Sequence, residues 1–152
     1  MKKNKIFLTL FLLSLVSLFA MMSGCGKTVS DDIGKTRVAN NLEITLADIQ
    51  LKISNNDKKQ MIQLDFTVKN TGKEKAGAGA GDFVIQTKDG KKHKMYSLNA
   101  NNFGDEIAAG KILKGAGFYE IPANQKEVTV LYEPYSQETT DNVKWTVAIP
   151  VK

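Results

Sequence analysis

Ile62-Gln63-Leu64-Asp65-Phe66-Thr67-Val68-Lys69-Asn70-Thr71-Gly72 decides the fold class. Ile62, Leu64, Phe66 and Val68 are apolar and alternate with polar Gln63, Asp65, Thr67 and Lys69, a period of two rather than 3.6. Successive side chains of an extended strand point to opposite faces, so this segment turns one face to a core and the other to water. Asn70-Thr71-Gly72 then ends the strand with turn-forming residues.

The same period extends in both directions. Upstream, Leu42, Ile44 and Leu46 alternate with Glu43 and Thr45, and Ile49, Leu51 and Ile53 alternate with Gln50 and Lys52. Asn55-Asn56-Asp57 supplies the turn before residue 62. Downstream, strands are expected at residues 83–87 and 92–97, joined by the hairpin dipeptide Asp89-Gly90. Further strands are expected at 111–121, 128–132 and 143–151, with Pro122 and Pro134 closing two of them. Residues 98–110 are less regular, and 104–109 are expected to form at most one helical turn. Seven or eight short strands without an amphipathic helix define an all-β, antiparallel sandwich or barrel. Phe66, Phe83, Phe118, Leu131 and Trp145 are the expected core aromatics and aliphatics. The alanine–glycine run at 76–81 reads as a connector between sheets that needs no side chains.

The first 24 residues are of another kind. Lys2, Lys3 and Lys5 precede sixteen uncharged, mostly apolar residues, 6–21. That is the basic and then apolar plan of a secretory signal peptide, shorter than the about 20 residues that span a membrane. Met22-Ser23-Gly24-Cys25 follows, and Cys25 is the sole cysteine. An exported chain that used disulfides would carry cysteines in pairs. The tetrapeptide resembles the lipobox of bacterial lipoproteins: an apolar residue, two small ones, then the cysteine that takes a diacylglyceryl group. Met22 stands where leucine is usual. The expected organisation is a lipoprotein signal peptide over 1–24, a lipidated Cys25 with a polar tether over 25–41, and the sandwich over 42–152. Two acyl chains bury enough methylenes for stable anchoring.

Removal of the leader changes the charge. The 21 basic residues lose Lys2, Lys3 and Lys5, which leaves 18 against 16 acidic residues, a net +2. No like-charge run exceeds two residues in the mature chain, so no nucleic-acid partner is expected.

Several elements fall in a particular order: residues 66–72 ending Asn-Thr-Gly, Asp82-Phe83, Asp89-Gly90, Gly110, a strand carrying Gly115 and Gly117, Ile121-Pro122, and residues 131–134 closing in proline. The series resembles a family of mostly Gram-positive lipoproteins that carry an immunoglobulin-like domain of unknown function, similar in fold to a small secreted immunogenic protein of mycobacteria. The resemblance covers residues 42–151. Ala109-Gly110 replaces the family's Pro-Gly, and the alanine–glycine run replaces a more varied loop. It implies an immunoglobulin-like β-sandwich at the cell surface, facing outside the cytoplasm, and implies no activity.

Chemistry is sparse. His93 is the only histidine, and no nucleophile–base motif accompanies it. Glycines 77–81 precede a strand and lack the βαβ setting of a dinucleotide loop. No enzymatic activity and no cofactor are expected. Three binding readings remain. His93 and Met95 offer an imidazole and a thioether two residues apart, soft ligands that suit Cu(I). Asn101, Asn102, Asp105 and Glu106 offer oxygens to a hard cation. Phe103, Tyr132 and Tyr135, with Tyr96 and Tyr119, are candidates for an aromatic contact surface. The expectation is a membrane-anchored lipoprotein that binds a protein or envelope component. Metal or small-ligand binding is the first alternative, and an accessory role in phage exclusion or immunity the second.

Overall fold

The computed structural model describes residues 31–135 and 143–151. The expected signal peptide, Met22, Ser23, Gly24 and Cys25 lie outside the described residues. Ten strands occur among them, more than the seven or eight expected: β1 (Thr36–Ala39), β2 (Leu42–Lys52), β3 (Lys59–Asn70), β4 (Ala76–Gly79), β5 (Phe83–Gln86), β6 (Lys92–His93), β7 (Gly104–Ile107), β8 (Ile112–Pro122), β9 (Glu127–Tyr132) and β10 (Lys144–Ala148). One four-stranded sheet runs β1-β2-β3-β8 and the other β10-β9-β5-β6, with β4 and β7 forming a separate ribbon. All named strand pairs are antiparallel. The chain is an all-β, immunoglobulin-like antiparallel sandwich.

The strand of residues 62–69 sits at its centre as β3, paired with β2 on one side and β8 on the other. Ile62, Leu64, Phe66 and Val68 are buried, as the alternation requires. In β2, Leu42, Ile44 and Leu46 are inward, and then Ile49. This change of parity is absorbed by a bulge between Leu46 and Asp48, where one extra residue faces the partner strand. Phe83, Ile85, Val128, Val130, Trp145 and Val147 face them from the second sheet. The Phe66 and Phe83 rings stack across the interface at 4.0 Å between centroids.

Two expected core residues are placed differently. Leu131 is only half-buried, because Val128, Val130 and Tyr132 take the inward phase of β9. Phe118 is buried but lies outside the inter-sheet cluster. Gly117, Tyr119 and Ile121 hold the inward phase of β8, and Tyr96 and Asn102 of the long loop bond the Phe118 backbone.

Three expected boundaries also change. Residues 31–41, expected as part of the tether, are folded: β1 pairs with β2, and Asp32 is buried against β10. Asn40 and Asn41, both at positive φ (51° and 61°), make the two-residue turn between them. Asparagine tolerates that region better than other side-chain-bearing residues. The alanine–glycine run is not a bare connector but strand β4. The turn expected at 104–109 is its partner β7. Their backbones meet closely: a Cβ on Gly79 would lie 3.1 Å from Gly104 Cα and from the Phe103 carbonyl.

Candidate functional site

The two ends of the sandwich differ. At one end lie the β1–β2 turn, the β4–β7 ribbon and the start of the loop after β9. At the other lie the β2–β3, β5–β6 and β8–β9 turns and the residues after β10.

A cleft of about 310 Å³ opens at the first end, among Asn40, Gly77, Gly79, Asp82, Asp105 and Tyr132. The alanine–glycine strand leaves the space that larger side chains would fill. The Asp82 carboxylate accepts the Gly79 N–H at 2.8 Å. Burial pushes its pKa up, against the backbone N–H groups of Gly79 and Tyr135. The Tyr132 hydroxyl is likewise held up, first by burial. The Asn40 side chain bonds weakly to that hydroxyl and works against the burial, while its Nδ2 is itself buried and reaches no acceptor at full hydrogen-bond geometry among the described residues. A buried donor without a well-formed bond costs about 1–3 kcal/mol.

The three aromatic candidates separate. Tyr132 is buried, its ring 5.4 Å from that of Phe83, so it is a wall of the core and not an exposed contact residue. Phe103 is half-buried over Phe66 and Phe83 and covers Gly115. It plugs the sandwich rather than facing a partner. Tyr135 is fully exposed, one residue beyond Pro134 of the cleft. Of the further tyrosines, Tyr119 is fully buried and donates its hydroxyl to the Ala80 carbonyl at 2.8 Å, and burial raises its pKa.

His93 and Met95 are attached to different sheets. His93 pairs with Ile85 in β5, and its Nε2 is 3.3 Å from the Thr87 hydroxyl. Met95 forms a bridge with Tyr119 of β8 and packs against the core. The chain therefore crosses between sheets at Lys94. Among the described residues, no three His, Cys, Asp or Glu side chains gather closely enough to hold a metal ion. In the long loop, Asn102 uses its whole amide for structure: Nδ2 donates to the Tyr96 and Asn99 carbonyls, and Oδ1 accepts the Phe118 N–H. Asp105 Oδ1 accepts the Glu106 N–H, and the Glu106 carboxylate pairs with Lys75 at 3.2 Å, so these oxygens have partners within the chain.

The cleft was missed because its wall comes from the alanine–glycine run. Asn40-Asn41, flanked by residues 36–39 and 42–46, was the available signal, a dipeptide that favours tight hairpins.

The fold and cleft thus define a class: a small β-sandwich domain with a partly buried polar cleft at one end. The chain belongs to the family described as "Domain of unknown function (DUF4352)", which matches residues 31–142. No curated protein matches it by sequence. Among solved structures it is similar to the candidate lipoprotein ycdA of Bacillus subtilis, with 20% identity and a TM-score of 0.61, covering 78% of this chain and 39% of that one. It therefore spans well under half of that protein. The secreted protein MPT63 of Mycobacterium tuberculosis is similar at 14% identity and a TM-score of 0.58, covering 75% and 93%. The yjhA protein of Bacillus subtilis is similar at 16% identity and a TM-score of 0.55, covering 80% and 100%. These likenesses are of fold. Among the described residues no helix is long and apolar enough to cross a membrane.

Proposed function

We propose that this protein is a lipoprotein anchored through Cys25 on the outer side of the cytoplasmic membrane, and that its sandwich binds a protein or envelope partner without catalysing a reaction. One observation carries the reading: the sole cysteine follows a basic and apolar leader and stands six positions before Asp31, the first described residue. The likeness to a candidate lipoprotein and to a secreted protein supports the location. The binding face is the cleft end, which carries the polar cleft between Asp82 and Asp105 and the exposed Tyr135.

Metabolic labelling with an alkyne fatty acid tests the anchor. Label is expected on the wild-type chain and absent from Cys25→Ser, which leaves the membrane fraction. Label retained on Cys25→Ser overturns it. A photo-crosslinking residue at Tyr135, compared with one at exposed Lys114 of β8, tests the face in intact cells. A discrete adduct from position 135 alone is expected, and equal adducts from both positions overturn the assignment.

A further inference from the structure

The strand edges of the sandwich are unequally guarded. An edge strand presents unpaired N–H and C=O groups that can template a further strand, and folded chains blunt it with charge, proline, a bulge or a cover. The long loop covers β8: the Phe103 N–H donates to the Ala116 carbonyl, the Tyr96 N–H to the Phe118 carbonyl, and the Phe118 N–H to Asn102 Oδ1. β10 is covered by Asp32, which bonds both backbone groups of Thr146, and by Arg37 of β1, whose Nε donates to the Lys144 carbonyl. The stretch of β2 beyond β1 carries a bulge, Asp48 and Lys52. β6 is two residues long and includes Lys92, and β7 carries Asp105 and Glu106.

β4 has none of these guards. It pairs with β7 alone, and Ala76-Gly77-Ala78-Gly79 holds neither charge nor proline. The direction of its backbone groups follows from the pairing. The Ala80 N–H donates to the Phe103 carbonyl at 2.9 Å, and Gly79 stands opposite Gly104. Alternation in an antiparallel pair then turns the backbone groups of Ala76 and Ala78 toward β7, and those of Gly77 and Gly79 away from it. The Gly79 N–H accordingly leaves the ribbon and reaches Asp82 Oδ2 at 2.8 Å. The N–H and C=O of exposed Gly77 point the same way and have no hydrogen-bond partner among the described residues.

This outward edge faces the cleft, because Asp82 is one of the cleft walls. Asp82 and Asp105 are the charged groups of the lining, which holds no lysine or arginine. Lys75, next to Ala76, is paired with Glu106. A strand laid along Gly77 ends where the Asp82 carboxylate occupies the Gly79 N–H, and a cationic side chain at that point is matched in charge.

We propose that an extended segment of a partner protein adds to the outer edge of β4, exchanging backbone hydrogen bonds with Gly77 and placing a lysine or arginine side chain in the cleft between Asp82 and Asp105. The proposal rests on the reading of the cleft end as the binding face and names how that face recognises its partner. Main-chain bonds give attachment, and the acidic cleft gives the sequence preference.

Pools of blocked heptapeptides test it against the full chain in detergent micelles. Each pool varies valine, threonine and serine around a central lysine, leucine or glutamate. The lysine pool is expected to bind about tenfold more tightly than the glutamate pool. At saturation it is expected to slow amide exchange at Gly77 and to leave Ala78, whose N–H already faces β7, unchanged. Gly77→Ala keeps the N–H and sends its Cβ into open space, so it is expected to bind as wild type does. Gly77→Pro removes an N–H that the ribbon does not use, and binding is expected to be lost. A lysine pool N-methylated throughout cannot donate backbone bonds and is expected to fail without any change to the protein. Asp82→Asn with Asp105→Asn keeps acceptor oxygens in place and is expected to erase the preference for lysine over glutamate. Binding that survives both Gly77→Pro and N-methylation overturns strand addition and leaves the cleft end as the binding face. Equal binding of the three pools overturns the cationic preference. Binding of no pool overturns the proposal, and the Tyr135 crosslink in cells then decides separately whether this end is a binding face.

Discussion

The Trp145 indole N–H donates to the Lys35 carbonyl at 2.8 Å, across 110 residues of sequence. The last described strand thereby holds the segment that precedes the first one. Trp145 belongs to the second sheet and packs 6.3 Å from Phe83, whereas residues 36–39 belong to the first. The bond closes one open edge of the sandwich. Trp145→Phe keeps most of the apolar area and removes only the donor and part of the ring. A loss of about 1–2 kcal/mol is expected from the hydrogen bond, or roughly 4–8 °C in Tm for a domain of this size. Trp145→Ala is expected to cost about 3–5 kcal/mol. Denaturant unfolding checks both, and equal stability of wild type and Trp145→Phe would show that this edge closes without the bond.

Asp32 fastens the same segment electrostatically. Its carboxylate accepts from Lys35 Nζ at 2.6 Å and from the Thr146 N–H at 2.9 Å, and Arg37 lies 3.5 Å away. The Lys35 bond first, and the Thr146 N–H second, hold its pKa below the ordinary carboxylate range. A depressed folded-state pKa contributes stability above the unfolded value near 4 and loses it as pH falls through the folded value. Wild type is therefore expected to lose stability on acidification below about pH 4, and Asp32→Asn to show a shallower acid limb. At neutral pH the variant is expected to be weaker by about 1.5–3 kcal/mol, the worth of a charge-assisted bond. Thermal unfolding from pH 3 to 7 measures it, and parallel curves for the two proteins would assign the acid limb to other groups.

Much of this architecture is legible in the residues themselves, and the reasons differ by element. Residues 62–69 read correctly because a strand buried on one face must alternate, and nothing else in the stretch competes. Leu131 does not, because period two leaves the inward phase ambiguous until Val128 and Val130 are seen to take it. The β4–β7 ribbon is invisible to side-chain patterns: residues 76–79 are alanine and glycine, which pair through backbone alone. The weakly bonded Asn40 donor is a consequence of burial at a turn that only the assembled ends create. Tyr132 and Tyr135 illustrate the limit, since three residues apart in one aromatic run they are respectively buried and fully exposed.

Asn70 is the polar pivot of the cleft end. It is fully buried, and its amide is fully employed. Nδ2 donates to the Glu74 carbonyl at 2.7 Å and the Ile107 carbonyl at 2.8 Å, and Oδ1 accepts the Gly72 N–H at 2.8 Å. It ties β3, the turn after it and β7 together. Asn70→Leu removes all three bonds and leaves backbone groups unsatisfied, so a loss of about 3 kcal/mol or more is expected. Amide hydrogen exchange is expected to accelerate most at Gly72 and in β7. Uniform acceleration over the whole sandwich would show that Asn70 supports global rather than local stability.

Gly115 and Phe103 are matched across β8. An added Cβ at Gly115 would collide with the Phe103 Cβ and ring, so the glycine is what admits the plug that covers Phe66 and Phe83. Overpacking of this kind costs about 1–3 kcal/mol, and Gly115→Ala is expected to fall in that range. Phe103→Ala opens a void over the stacked rings and is expected to cost about 3 kcal/mol, at the low end for a phenylalanine because the ring is only half-buried. Together the two changes are expected to be less damaging than the sum of the singles, because the collision disappears once the ring is gone. A double-mutant cycle by chemical unfolding reads the difference. Full additivity would mean that the strand accommodates a methyl at 115 by moving backbone rather than by displacing Phe103, and the cost of Gly115→Ala would then lie in the β3–β8 ladder.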